Sequence, residues 1–332
     1  MKAVVLAGGY GSRVMPLSHY RAKPMLPVAN RPVIDYAVGR LNAAGIRDIS
    51  FALGYRPGDI MEYISGYVDI RPSFVCDEIP LGTAGSVKRA AAGMSGEIVV
   101  LSADTICGSD ISALVRRHRE SGAAVTVETA EAEDLGAFGA VRSEGGFMTE
   151  ICEKCAGLKG RRGVANAGTY VVDARVLSYV PDGVPFDFAR DLFPLLLSLG
   201  ERIAVCPCGG YWKDIGSLRD YYDANFEAAE MYFPSARHIR RVWNCRRGGS
   251  LIAETAVIRG TVKNCVIGDG AVVAGSARLE KCVVLPGEFV DASACGEIVG
   301  GKFELSPLLG NVNLQNSENP TEIFRLFASI EL

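Results

Sequence analysis

From Lys2 to Thr129 short β-branched and aliphatic runs alternate with stretches of helical periodicity, and no other feature limits the fold as tightly. Lys2–Ala7 reads as a buried strand, Pro32–Ala44 as a helix opened by proline, Asp48–Leu53 as a strand and Pro57–Ser65 as a helix. Ser73–Cys76, Glu97–Leu101 and Ala123–Thr129 continue the strands, with helices over Thr83–Ala92 and Asp110–Ser121 between them. The alternation predicts an α/β chain whose doubly wound, mostly parallel sheet is covered on both faces, with ligands gathered at the carboxyl ends of its strands. Ala137–Arg142, Phe147–Cys152 and Ala165–Val172 read as further, shorter strands, and Leu218–Tyr232 as a closing helix.

Beyond about residue 245 the texture changes. Ile267, Val273, Leu279 and Leu285 stand six apart, as do Ile252 and Ile258 upstream, and Ile267-Gly268-Asp269-Gly270-Ala271-Val272 is the clearest unit. One aliphatic per six residues predicts a β-helix in which each short strand stacks its aliphatic on the coil below, although the step from Ile258 to Ile267 breaks the register. Pro320–Leu332 reads as an amphipathic helix with Ile323, Leu326, Phe327 and Ile330 on one side. The expected division is residues 1–235 for the α/β domain and 236–332 for the coils with their helix.

Composition narrows the function. The chain of 332 residues carries 35 basic and 38 acidic side chains, a balance of 35 − 38 = −3, and lacks the basic excess with which proteins neutralise nucleic-acid phosphates. The apolar run Ala3–Ala7 is far shorter than the ~20 residues of a membrane span, so the expectation is a cytoplasmic protein with neither nucleic-acid nor membrane partners. Ten cysteines include one C-x-x-C, Cys152 and Cys155, and one C-x-C, Cys206 and Cys208. None of His19, His118 and His238 is near either pair, so reduced structural thiols are expected rather than metal ligands.

The chemistry concentrates at the first strand-to-helix junction, Leu6-Ala7-Gly8-Gly9-Tyr10-Gly11-Ser12-Arg13, followed by Lys23-Pro24-Met25-Leu26-Pro27. Glycines let backbone N–H groups approach a phosphate closely, and Arg13 and Lys23 add charge, so in physical terms the segment is a phosphate cradle. The spacing fits neither G-x-x-x-x-G-K-[ST] nor G-x-G-x-x-G, which places a dinucleotide oxidoreductase last among the readings.

This opening resembles the signature of the sugar-1-phosphate nucleotidylyltransferases, which join a nucleoside triphosphate to a sugar 1-phosphate and release pyrophosphate. Glu78-Ile79-Pro80-Leu81-Gly82-Thr83-Ala84-Gly85-Ser86, Leu101-Ser102-Ala103-Asp104, Glu153-Lys154, Asn166-Ala167-Gly168 and Tyr211-Trp212-Lys213-Asp214-Ile215-Gly216 are similar to further family motifs, in the same order, over about residues 1–230. The resemblance implies a Rossmann-like sheet of the nucleotide-diphospho-sugar transferase type, followed by a small left-handed β-helix of hexapeptide repeats, and a homo-oligomer. It implies Mg²⁺ held by Asp104 and Asp214, with Arg13 and Lys23 completing the catalytic set. Leu6, Ala7, Gly8, Gly9, Gly11, Ser12, Arg13, Gly82 and Thr83 would bind the nucleotide, and Glu153, Lys154, Asn166 and Gly168 the sugar phosphate. Cys155 departs from the proline common after Glu-Lys, and Ser12 from a commoner threonine.

Each assignment has a plainer alternative. Arg13 also suits a surface arginine, Asp104 a helix N-cap, Asp214 a turn, and Lys154 a solvated pair with Glu153. Within the family, Gly-Gly-Tyr-Gly, Leu-Gly-Thr-Ala-Gly and the repeat tail look most like the branch that makes GDP-mannose from GTP and mannose 1-phosphate. Glucose-1-phosphate thymidylyl- and uridylyltransferases and a non-catalytic nucleotide-sugar-binding relative are the alternatives. An acyltransferase on the coils would need a histidine base, and residues 245–332 contain no histidine.

Overall fold

The computed structural model describes residues 1–232, 238–239, 242–247 and 249–300. The helix expected over Pro320–Leu332 lies outside the described residues. Contacts divide the chain into one unit of Met1–Met25 with Val33–Asp214, and a second of Leu26–Pro32 with the chain from Ile215 onward.

The first unit is built on β1 (Lys2–Ala7), β2 (Asp48–Leu53), β3 (Arg71–Cys76), β4 (Glu97–Ser102), β5 (Thr105–Cys107), β6 (Val125–Ala132), β7 (Gly139–Glu144), β8 (Phe147–Glu153), β9 (Gly163–Asp173), β10 (Ile203–Pro207) and β11 (Trp212–Asp214). Nine of these form one sheet in the order β3-β2-β1-β4-β9-β6-β10-β8-β7. Residues alternate between its faces: Ala3, Val5 and Ala7 enter one apolar cluster and Val4 the other. Helix α1 (Val33–Ala43) and helix α2 (Pro57–Ser65) cover the first face through Ile34, Leu41, Ile60 and Ile64, while α3 (Gly82–Ala90) covers the second through Ala84 and Val87. Helix α4 (Ile111–Ser121) begins where Asp110 accepts a 2.8 Å hydrogen bond from the Ser112 N–H, so Asp110 and not Asp104 is its N-cap.

Strands β3, β2, β1 and β4 are parallel throughout, as the alternation predicts. The second half of the sheet is mixed. Gly145 and Gly146, both at positive φ, turn β7 tightly into β8, a conformation glycine adopts without steric cost. The long β9 then runs antiparallel between β4 and β6, with Tyr170 opposite both Val100 and Val127. Cys152 and Cys155 form a disulfide, a departure from the reduced thiols expected. The end of β8 and the turn after it bring their Cα atoms to 5.9 Å, within the ordinary range for a bridge.

In the second unit α5 (Leu218–Tyr232) anchors residues 26–32: the Tyr221 hydroxyl donates to the Pro27 carbonyl at 2.7 Å, and Asn225 accepts from the Ala29 N–H at 2.9 Å. Residues 250–299 stack as parallel ladders on three faces. Leu251 pairs with Val266 and Val266 with Val283, steps of 15 and then 17 residues, so a coil is shorter than three full hexapeptides. The break between Ile258 and Ile267 follows: Val262 packs against the core between them, and the inward position after Leu279 goes to Val284 instead of Leu285. No helix among the described residues is long and apolar enough to cross a membrane.

Candidate active site

The chain runs from β1 outward through β2 to β3, then returns to the other side of β1 as β4. At such a reversal the loops after neighbouring strands diverge and leave a crevice at their carboxyl ends. Gly8 follows β1 and Asp104 follows β4, and both line a cleft of about 480 Å³. Its floor depends on two glycines in backbone contact, because a Cβ at Gly54 would stand 2.6 Å from the Gly8 carbonyl oxygen and one at Gly8 3.1 Å from the Gly54 nitrogen. Leu6, Ala7 and Gly9 complete this wall, with Tyr10 against Tyr55, ring centroids 4.9 Å apart.

Among the described residues two cationic side chains line the cleft, Arg56 and Lys23, and of these Lys23 is the buried one. Its Nζ stands 2.8 Å from Asp104 Oδ2 and 3.9 Å from Asp214 Oδ1. Burial opposes the charge on Lys23, but the two carboxylates outweigh it and raise its pKa, against a smaller push from nearby Arg13. Burial likewise lifts the Asp104 carboxyl. The Lys23 charge and hydrogen bond, joined by a 2.6 Å hydrogen bond from the Ser102 hydroxyl, overcome this and hold Asp104 below the usual carboxylate range. Asp104 keeps a third of its side chain open, at 33% exposure, against 9% for Lys23. Asp214 arrives on a two-stranded ribbon in which β11 pairs antiparallel with β5, Asp214 opposite Thr105, so it lies in a strand and not in a turn.

Gly11 serves this cluster indirectly. It sits at φ 64 before the short helical turn Ser12–Val14, its carbonyl accepts the Ser18 hydroxyl at 2.7 Å, and a Cβ on it would meet the Lys23 Cβ at 3.0 Å. Ser12 and Arg13 on that turn are exposed and do not line the cleft.

Gly82 and Thr83 line the opposite wall at the first turn of α3. Asp187 fixes this end: its Oδ1 accepts from the Thr83 N–H at 2.9 Å and from the Thr83 hydroxyl at 3.1 Å, while that hydroxyl accepts from the Phe188 N–H at 3.0 Å. Gly82 has φ 69, and a Cβ there would lie 2.6 Å from the Phe186 carbonyl oxygen.

The four residues expected on the sugar phosphate stand outside the cleft lining, on β8, β9 and the turn after β8. Gly168, at φ 77, backs onto Ser102, where a Cβ would come within 3.3 Å of the serine Cβ. Asn166 accepts the Gly168 N–H at 3.0 Å and donates to the Tyr170 hydroxyl at 2.9 Å. Trp212 Nε1 donates to the Ala167 carbonyl at 3.0 Å, which ties Asn166-Ala167-Gly168 to the ribbon carrying Asp214. Glu153 lays its carboxylate over Gly139, where a Cβ would meet Oε2 at 2.7 Å, and Lys154 is about half exposed, 3.8 Å from Glu153.

Sequence reasoning missed Gly54, Tyr55, Asp77 and Asp187, all of which line the cleft. Gly54-Tyr55 follows β2 as Gly8-Gly9 follows β1, so a glycine closing a strand was the available signal. Asp187 had none, because its partner Thr83 is 104 residues away.

Residues 2–231 match the family model described as nucleotidyl transferase. Mannose-1-phosphate guanylyltransferase of Mycobacterium tuberculosis is 30% identical, over 87% of this chain and 81% of its own. Among solved structures, HddC from Yersinia pseudotuberculosis complexed with GMP-PN is 25% identical with a TM-score of 0.59, covering 68% of this chain and 98% of its own. A putative glucose-1-phosphate thymidylyltransferase from Bacillus anthracis in complex with a sucrose is 25% identical with a TM-score of 0.63, covering 69% and 95%. The chain belongs to the nucleotidyl transferase family, and within it the chain is a sugar-1-phosphate nucleotidylyltransferase.

Proposed function

We propose that this enzyme transfers the guanylyl group of GTP to mannose 1-phosphate, giving GDP-mannose and pyrophosphate. The observation that carries the site assignment is the convergence of Lys23, Asp104 and Asp214 at the foot of a glycine-floored cleft. The choice of base and sugar is supported by a relative named for that reaction whose similarity extends over 87% of the chain.

In the reaction a phosphate oxygen of the sugar 1-phosphate forms a bond to the α-phosphorus as the bond from that phosphorus to the bridging oxygen of the β-phosphate breaks. The attacking oxygen is already anionic near neutral pH, so positioning and charge neutralisation replace a general base. Lys23 neutralises the reacting phosphates, Arg13 the triphosphate and the departing pyrophosphate, and Lys154 the sugar phosphate. Backbone groups of Leu6, Ala7, Gly8, Gly9, Gly11 and Ser12, with Gly82 and Thr83, hold the nucleotide, and Glu153, Asn166 and Gly168 receive the sugar. Asp104 and Asp214 present hard carboxylate oxygens to one point where the Lys23 ammonium stands in for a cation, and that donor set fits Mg²⁺. Bound there, Mg²⁺ supplies charge neutralisation to the phosphates.

We assign catalysis to residues 1–235, in the manner of a Rossmann-like domain, and assembly into a homo-oligomer to residues 236–332, reading the coils as a left-handed β-helix. The test is mass-spectrometric identification of the nucleotide sugar formed from GTP, dTTP, UTP, CTP or ATP, each with mannose, glucose, galactose or N-acetylglucosamine 1-phosphate. GDP-mannose as the main product is expected. A dTDP- or UDP-glucose product would overturn the substrate choice and leave the reaction class standing.

A further inference from the structure

The C-x-C motif meets partners that its spacing alone does not reveal. Cys208 follows β10, its N–H donating to the Thr129 carbonyl at 2.6 Å, and this places it beside Glu128 on β6 and Cys107 at the end of β5. Cys107 Sγ lies 3.4 Å from Cys208 Sγ and 3.7 Å from Glu128 Oε2, and the three donor atoms all stand within 4.8 Å of one another. A tetrahedral Zn²⁺ site with two sulfurs and a carboxylate oxygen has donor–donor edges of roughly 3.5–3.8 Å. The Gly210 carbonyl oxygen, 3.4 Å from Cys208 Sγ, is an oxygen neighbour for a fourth vertex, while the Ser109 hydroxyl, 3.3 Å from Cys107 Sγ, accepts from Arg40 Nη2 and donates to Glu128 Oε1, leaving Oε2 to face the thiols.

The surroundings suit a divalent ion. Glu128 is buried, and the Arg40 Nη2 donates to both of its oxygens, at 3.0 and 2.9 Å, while Arg40 Nη1 donates to Thr169 Oγ1 at 3.1 Å. A carboxylate has about four lone-pair sites, so Glu128 can keep Arg40 and still ligate. With both thiols ionised the charges sum to +2 − 2 − 1 + 1 = 0, which satisfies the requirement that buried charge be compensated. Arg40 therefore completes the balance of a metal-loaded cluster instead of displacing the ion.

We propose that Cys107, Cys208 and Glu128 form a site for a thiophilic divalent cation of the Zn²⁺ class, separate from the cleft. It fastens the ribbon of β5 and β11, since Cys107 pairs with Trp212 at one end and Thr105 with Asp214 at the other. The ion is a structural clamp on the acids that serve the reaction.

The experiment loads the full chain with Zn²⁺ under reducing conditions, removes free ion by gel filtration and measures retained zinc with a chromophoric chelator. One equivalent per chain is expected, falling at least about tenfold in both Cys107→Ser and Cys208→Ser. It should be retained in Cys265→Ser, which alters the close pair of Cys265 and Cys282, and in Cys152→Ser, which alters the pair that reduction frees from its disulfide. Co²⁺ in place of Zn²⁺ should give thiolate-to-metal charge-transfer absorption in the folded wild type, a readout that does not depend on any variant folding. No retained metal and no such band in the wild type would overturn the proposal. So would metal retained equally by both serine variants, or recovery of Cys107 and Cys208 as a disulfide without metal.

Discussion

The Lys23 ammonium joins Asp104 to Asp214 across 214 − 104 = 110 positions of sequence, at 2.8 Å from the first and 3.9 Å from the second. Removing the ammonium takes away the one charge that both carboxylates share, so the reacting phosphates would meet two negative groups with a cation fewer to offset them. Lys23→Met is expected to lower kcat by roughly 10²–10³-fold. Lys23→Arg is expected not to restore it, because a planar guanidinium does not reproduce the compact ammonium's contacts with both Asp104 and Asp214. Steady-state pyrophosphate release checks both variants, and a Lys23→Met enzyme with wild-type kcat would contradict the assignment.

The glycines after β1 and β2 separate a steric role from mere proximity. Gly54→Ala puts a methyl 2.6 Å from the Gly8 carbonyl, backbone against backbone, and is expected to cost about 1–3 kcal/mol in stability. Gly9 lines the same cleft with nothing within 4 Å of a Cβ, so Gly9→Ala should stay within about 0.5 kcal/mol of wild type. Urea unfolding of the pair settles the contrast; equal midpoints would show that the two loops do not depend on that approach.

Asp187 braces Thr83 at the edge of the cleft. Asp187→Ala withdraws the acceptor of both the Thr83 N–H and hydroxyl, loosening the first turn of α3 where it borders the cleft. A positioning role of this kind should raise KM for the nucleotide about tenfold, the cost of one or two hydrogen bonds, with kcat little changed. Loss confined to kcat would instead make Asp187 part of the chemistry.

Asp59 holds the segment that delivers Lys23, accepting from the Ala22 N–H at 3.2 Å and from Arg56 Nε at 2.8 Å. Burial raises its pKa, but the Arg56 and Ala22 hydrogen bonds prevail and keep it below the usual carboxylate range. With the folded value below the unfolded ~3.9, its contribution is complete above about pH 4 and is lost as pH falls through the folded value. Asp59→Asn should therefore lose about 1 kcal/mol at pH 7, and the gap from wild type should close on acidification. Urea midpoints measured from pH 7 down to pH 3 check this; a gap of constant size would exclude a charge-dependent role.

How far the sequence can be read depends on the range of the interactions. Strands β1, β2 and β4 declare themselves because each is a short aliphatic run that sends alternate residues into the two clusters, and periodicity is local. The antiparallel insertion of β9 between β4 and β6 does not, since strand order depends on which edges meet after the Gly145-Gly146 turn. The coils are legible through Ile267, Val273 and Leu279, whereas Val262 and Val284 fall off the six-residue step because corners differ in length. At the site, Leu6 to Gly9, Gly82, Thr83 and Asp104 gather around one cleft, Gly11 and Asp214 act on Lys23, and Arg13 stays outside the lining. Asp187 and the meeting of Cys107 with Cys208 rest on contacts about a hundred residues apart, and no local signal encodes them.

The most direct test of the reaction centre is pyrophosphate release by Asp214→Asn from GTP and mannose 1-phosphate at saturating Mg²⁺, with circular dichroism confirming the fold. Asp214 lies outside the cleft lining, so its importance follows from the shared cation and not from proximity to an open pocket. The expected result is a loss of roughly 10²-fold or more in kcat with secondary structure unchanged. Wild-type turnover in the folded variant would contradict the account, because the two acids would then not be serving one cation in the reaction.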